Sequence, residues 1–236
     1  MDSLIDIAAA RSLVADAALW PRVRDFLWDF APSIHPSWLE EVESLKMKGF
    51  NPQAIKLSNY QTIKLFILST LGIEPCFHAF PKDDWSRLIL LDGQTLELIV
   101  KWLGALACAG ELRRVTDGKT VRELKSALPG IYPEVFGYTA YFARIDSQRR
   151  GAETQGEESP DAGSRPSIAE NVVSAGLSVV DSLLADVPSP VLSRFRFKLP
   201  KSLCAPAAPR LRKETCGAVV AKLLKLKFPE AYRLCC

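Results

Sequence analysis

The sequence predicts a mainly α fold: a compact helical domain followed by a flexible linker and a short basic helical tail. Three observations carry this. Capping signatures recur ahead of apolar stripes of helical period, one long polar stretch holds no apolar side chain larger than Ala, and only one segment alternates as a strand would. Length and composition allow it: 236 residues, 48% hydrophobic and 24% charged, are ordinary for a globular chain. They exclude disorder throughout, a collagen and a disulfide miniprotein.

Each helix has its own punctuation. Ser37-Trp38-Leu39-Glu40 and Thr120-Val121-Arg122-Glu123 set a hydroxyl and a carboxylate three apart, which reciprocally satisfies orphan amides, so both predict helix starts. Asn51-Pro52 predicts the start of a helix that runs through Leu71 and stops at Gly72. After Asp92, Leu96, Ile99, Val100, Leu103, Leu106 and Ala107 form a stripe that Gly110 is expected to close in a left-handed cap. Ser167-Ile168-Ala169-Glu170 opens another helix, with Val172, Leu177, Val180 and Leu183 following before Pro188, and Cys216, Val220, Leu223, Leu224 and Phe228 stripe a last one. Arg194 to Leu199 would place three basic and three apolar groups on opposite faces if extended, but one short strand has nothing to pair with. No internal repeat is visible.

Residues 146–167 read DSQRRGAETQGEESPDAGSRPS, too polar to bury enough surface to offset their ordering entropy. The expected division is a helical domain over 1–145, a disordered polar linker over 146–166 and a basic helical region over 167–236. Charge sharpens it. From residue 190 onward eleven Lys and Arg stand against Glu214 and Glu230, a net of +9 that leaves −6 for the rest of a chain whose total is +3. Such a tail suits an acidic protein surface, an anionic membrane face or a polynucleotide.

The chemistry that would make an enzyme is missing from the pattern. Gly118-Lys119-Thr120 imitates the end of a phosphate loop, but Arg113 stands where that motif needs Gly; Asp117 and Gly118 are read instead as ending one helix before Thr120 caps the next. Cys76 and His78 lie two apart without a third group to orient a base, and Cys76-Phe77-His78 has no second pair of ligands for a metal. The bland reading is a small buried thiol and a hydrogen-bonded imidazole. Glu40-Glu41 and Asp83-Asp84 are adjacent carboxylates that point apart and serve as solvated caps. No catalytic residue, cofactor or metal is therefore expected. Six scattered cysteines fit a reducing cytosol better than a secreted framework. The longest uncharged stretches, Phe30 to Leu39 and Asn171 to Val180, are too short to span a bilayer, and Asp2 and Asp6 argue against a secretory signal. Cys235-Cys236 imitates a double-cysteine prenylation end, a motif of meaning only inside a eukaryotic cell.

With no active site in the pattern, the informative residues are Phe50-Asn51-Pro52, the segment Trp85-Ser86-Arg87-Leu88-Ile89-Leu90-Leu91-Asp92, and Lys101-Trp102-Leu103-Gly104-Ala105-Leu106. These resemble the SctK family, also called YscK, the cytosolic accessory proteins of bacterial type III secretion systems. The stretch from Arg113 to Tyr138, with Val121-Arg122-Glu123-Leu124-Lys125 and Pro133-Glu134-Val135-Phe136-Gly137-Tyr138, further resembles the rhizobial member of that family, the nodulation protein NolU. The resemblance covers about residues 35 to 145 and leaves the tail outside it.

It implies a non-enzymatic adaptor of the sorting platform, in the bacterial cytoplasm and peripheral at the inner membrane. Its implied partners are the SctD-type inner-membrane ring protein and the SctQ-type pod protein, with SctL and the SctN ATPase nearby. On that expectation Trp85, Arg87, Asp92 and Trp102 shape one contact surface. Arg194, Arg196 and Lys198 of the basic tail meet an acidic partner or the anionic inner leaflet. Two other readings stand beside it: a nucleic-acid-binding or membrane-surface-binding protein that acts through the basic tail, with Phe195 and Phe197 among the basic groups of Arg194 to Lys227, and a secreted effector lipidated at Cys235 and Cys236.

Overall fold

A computed structural model describes residues 19–44, 67–73, 84–139, 167–203 and 211–236, and among these the regular structure is helical throughout, with no strand. The chain is mainly α. Prolines open several helices, since the missing N–H falls where no intrahelical partner exists: Trp20–Trp28, Pro36–Ser44, Ser189–Phe197 and Pro229–Cys235. Ser167 caps Ile168–Leu183 with both bonds of a capping box, its hydroxyl accepting from the Glu170 amide at 3.2 Å and the Glu170 carboxylate accepting from the Ser167 amide at 2.8 Å. Residues 67–70 are helical and end in a Schellman motif: Ile73 N–H donates to Leu68 O, Gly72 N–H donates to Ser69 O, and Gly72 takes φ +64°. The expected start of that helix at Asn51 lies outside the described residues, as do Cys76, His78, Asp83 and the linker at 146–166.

Other expected boundaries shift for local reasons. Pro36 starts its helix one residue before Ser37, whose hydroxyl instead lies 2.9 Å from His35 Nδ1 and accepts from the Lys201 amide at 2.9 Å. Asp117 does not end a helix: it caps Gly118–Ala127, accepting from the Thr120 amide and hydroxyl, both at 2.8 Å. A carboxylate is the better acceptor beside the positive helix end, so it displaces the hydroxyl from the cap. Gly110 is no terminator either; the helix Gly93–Ala107 breaks at Cys108, and Gly110 sits inside the following turn Ala109–Leu112. The alternating segment at Arg194 is helical, within Ser189–Phe197, because Pro190 starts a turn there and no neighbouring strand exists among the described residues.

Contacts divide the chain into two compact units that do not follow chain order. The first takes residues 1–96 with 186–202, and the second takes 97–185 with 203–234.

In the first unit Trp20–Trp28 packs on the 3₁₀ segment Asp84–Leu90, and Val23, Phe26, Phe30, Leu88, Ile89 and Phe195 are buried. The stretch after Ser189–Phe197 zips alongside the start of Pro36–Ser44. His35 N–H donates to Phe197 O at 2.8 Å, Trp38 Nε1–H donates to Leu199 O at 2.9 Å, and the Trp38 and Phe197 rings meet edge to face at 4.7 Å.

In the second unit Ile168–Leu183 is the central element, packing on both Gly118–Ala127 and Lys213–Lys227. Its buried residues, from Val172 through Leu183, leave little of its circumference to water, as in a helix that runs through a core. It crosses Gly93–Ala107 at two glycines. A Cβ on Gly104 would fall onto Val172 O, and one on Gly176 onto Val100 O, so only hydrogen at both positions lets the backbones meet.

Candidate functional site

Two side-chain constellations stand out, one in each unit. The first grows from Ser189–Phe197, whose 194 and 198 positions lie one turn apart on one face. The last carbonyls of Trp20–Trp28 have no intrahelical donor. Arg194 supplies one: Nη1 donates to Phe26 O at 2.8 Å and Leu27 O at 2.7 Å, and the guanidinium carbon lies 5.5 Å from the Phe30 ring centroid. A cation at a helix C-terminus also meets the negative end of its dipole. Lys198 does the same for the end of the 3₁₀ segment, its Nζ donating to Ile89 O at 2.7 Å and Leu91 O at 2.9 Å, 5.1 Å from the Phe26 ring centroid. Its ammonium is pushed down to about 8 by burial; the Asp92 charge opposes that shift and Arg22 adds to it. Gly93 follows from the same contact, since a Cβ there would come within 2.6 Å of Lys198 O.

The second constellation centres on Lys227, the last residue of Lys213–Lys227. Its Nζ lies 4.9 Å from the ring centroids of both Trp102 and Tyr138, which meet edge to face at 5.9 Å, and it pairs with the Glu134 carboxylate. Three helical segments thus converge on one ammonium. The Glu134 carboxylate and then Tyr138 raise the Lys227 pKa above its ordinary value.

The residues expected at partner contacts scatter. Trp85 and Arg87 are half-buried in the 3₁₀ segment. Asp92 is exposed and caps Gly93–Ala107, accepting from the Thr95 amide at 2.8 Å and hydroxyl at 2.7 Å; burial raises its pKa, but those bonds more than offset this, so it titrates below the usual aspartate value. Trp102 is only 6% exposed and belongs to the second unit. Arg194 and Lys198, expected to face a partner, are 2% and 5% exposed, whereas Arg196 is exposed. Desolvating a cation is costly unless carbonyls replace its water, and here they do. The structure joins Arg194, Lys198 and the Asp92 region around the first unit's core.

Sequence reasoning missed Lys227, Glu134 and Tyr138 as a set because their positions are far apart in the chain. Nothing reactive is poised in either cluster. Cys216 is buried, with its thiol pushed up to about 11. Cys235 is buried and Cys236 exposed. Among the described residues no three His, Cys, Asp or Glu side chains gather as a metal site would need, and no helix is long and apolar enough to cross a membrane.

Among the described residues the chain is helical, and its buried cations Arg194 and Lys198 serve its own backbone. The family model for YOP proteins translocation protein K (YscK) matches residues 25–235, and the chain belongs to that family of type III secretion proteins. The match runs through the tail, well beyond the 35–145 expected from the sequence, as suits a tail that supplies Arg194, Phe195 and Lys198 to the first unit and Lys213–Lys227 to the second. No curated protein and no solved structure matches the chain.

Proposed function

We propose that the chain is a non-enzymatic adaptor of the type III secretion sorting platform. It joins the cytoplasmic domain of the SctD-type ring protein to the SctQ-type pod protein, near SctL and the SctN ATPase, and so supports effector export. It acts in the bacterial cytoplasm, peripheral at the inner membrane, in a setting that includes the nodulation-linked systems to which NolU belongs. One observation carries the reading: the YscK match spans nearly every described residue. The burial of Arg194 and Lys198 supports it against nucleic-acid binding, because two of the cations that were to neutralise phosphates are committed to backbone carbonyls. On this reading Asp92 and Arg196, both exposed, and the half-buried Trp85 and Arg87 belong to the contact surfaces.

The test is co-purification of the full chain with the pod protein and with the ring protein's cytoplasmic domain. Retention of both is the expected result, and retention of neither overturns the assignment. A fragment cut at Asp146 is no substitute, since it lacks Phe195, Arg194 and Lys198 of the first unit's core.

A further inference from the structure

The last helix has little of its own to hold it. Pro229–Cys235 is seven residues long, shorter than the roughly 12 that an isolated helix needs to be even marginal in water, and no side chain caps its start. Of its side chains only Ala231 and Cys235 are buried, while Pro229, Glu230 and Arg233 are exposed. The preceding helix is differently placed: Lys213–Lys227 buries Cys216, Val219, Val220, Leu223 and Leu224 and packs on Ile168–Leu183. One residue separates the two helices. It is Phe228, at φ −135° and ψ 64°, kept out of the helical region by the proline that follows it.

Lys227 stands at that break. Three groups hold its ammonium: the rings of Trp102 and Tyr138, each centred 4.9 Å away, and the Glu134 carboxylate. They come from Gly93–Ala107 and from the helical stretch at 131–139, so the end of Lys213–Lys227 is tied to two segments remote from it in the chain. Phe228 then joins both helices, its N–H donating to Leu224 O at 2.8 Å and its carbonyl accepting from the Tyr232 amide at 2.9 Å. A displacement of Lys227 is therefore passed on through a single residue to the first turn of the last helix.

We infer that Lys227 is the latch of a C-terminal strap. Held by Trp102, Tyr138 and Glu134, it fixes the turn at Phe228 and keeps Pro229–Cys235 in place; without the ammonium the strap opens as a unit, while the buried stripe of Lys213–Lys227 stays packed. The inference goes beyond the adaptor reading and does not depend on which partners the chain binds.

The test is residue-resolved amide exchange on the full chain at neutral pH, comparing Lys227→Met, Lys227→Arg and Glu134→Gln with the unaltered protein. Lys227→Met keeps most of the apolar stem and removes the charge. It is expected to speed exchange at 232–235 about tenfold, the scale of a partly desolvated cation held by two rings and a carboxylate, and to leave Leu223 and Leu224 unchanged. Lys227→Arg retains a cation for the rings and the carboxylate and should restore protection. Glu134→Gln alters only the exposed holder and should speed exchange at 232–235 by a smaller factor, which keeps the test open should Lys227→Met fail to fold. Exchange at 232–235 that stays at the unaltered rate in Lys227→Met and Glu134→Gln overturns the inference. So does equal acceleration at Leu223 and Leu224, which would make Lys227 a support of the whole helix, and so does a Lys227→Arg variant as fast as Lys227→Met.

Discussion

In the first unit two buried cations one helical turn apart grip the carbonyl ends of two other segments; in the second, two glycines let the backbones of two crossing helices meet. Both solve the problem of bringing backbone close to another element, by opposite means. A cation brings directional bonds and a desolvation cost, so its contribution depends on pH and on exact partners. A glycine crossing brings dispersion and weak Cα–H···O contacts, is indifferent to pH, and fails as soon as one carbon is added.

The largest expected effect follows from that intolerance. Gly104→Ala or Gly176→Ala puts a methyl onto a carbonyl oxygen of the facing helix, where backbone must move rather than a flexible side chain. Overpacking of this kind should cost about 3 kcal/mol or more, read as a fall in urea midpoint. Gly137→Ala is the control: its added Cβ meets nothing within 4 Å in a helical stretch at 131–139, so it should stabilise by about 0.5–1 kcal/mol. Equal effects at Gly104 and Gly137 would dismiss the crossing as the determinant.

Next in size is the clamp. Arg194→Met keeps most of the apolar stem and removes the donors to Phe26 O and Leu27 O, which should cost about 2–3 kcal/mol through two orphaned buried carbonyls. Lys198→Met should cost less at neutral pH, because it also relieves the burial of a charge. Chemical unfolding of the two variants side by side tests the order. A larger loss at Lys198 would mean that its ammonium is better compensated than its lowered pKa states.

That same pKa sharpens the comparison. In the folded chain Lys198 releases its proton at about 8, below the ordinary 10.5, so between those values the unfolded chain holds more protons than the folded one. Stability should therefore rise with pH across this window, by on the order of 3 kcal/mol for a group so fully buried. Lys227 has the opposite sign: its raised pKa contributes stability that is present below its ordinary value and is lost only as pH rises through the higher folded value. Unfolding free energies measured from pH 7 to 10 should climb for the unaltered chain and stay flatter for Lys198→Met. Parallel curves would rule out the buried ammonium as their source.

How much of this was legible depends on the range of the interaction. The apolar stripes after Asp92 and after Ser167, the Ser167 capping box and the stop at Gly72 are properties of a few neighbouring residues, and the structure has them. The Asp117 cap was local as well, but two acceptors competed for it and the carboxylate won. Arg194 and Lys198 read as surface cations because a sequence shows their charge and not the carbonyls of Phe26 and Ile89 that wait more than a hundred residues away. Lys227 met the same obstacle, since nothing near it announces Glu134, Trp102 or Tyr138.

The smallest expected effect separates the two units by their helix starts. Ser167 is exposed and its role is confined to the capping box, so Ser167→Ala should cost about 1 kcal/mol and be matched in direction by Glu170→Ala, which removes the reciprocal bond. Ser37 has the same pattern in sequence and another task in the fold. Its hydroxyl accepts from the Lys201 amide, so Ser37→Ala should loosen the 197–201 stretch while leaving the proline-started helix intact. Amide exchange distinguishes the two: faster exchange at Lys201 and at the neighbouring His35–Phe197 bond is expected for Ser37→Ala, and at the first turn of Ile168–Leu183 for Ser167→Ala. If Ser37→Ala instead frays the first turn of Pro36–Ser44, the hydroxyl is a cap after all, and the zipper beside it rests on Trp38 and Phe197 alone.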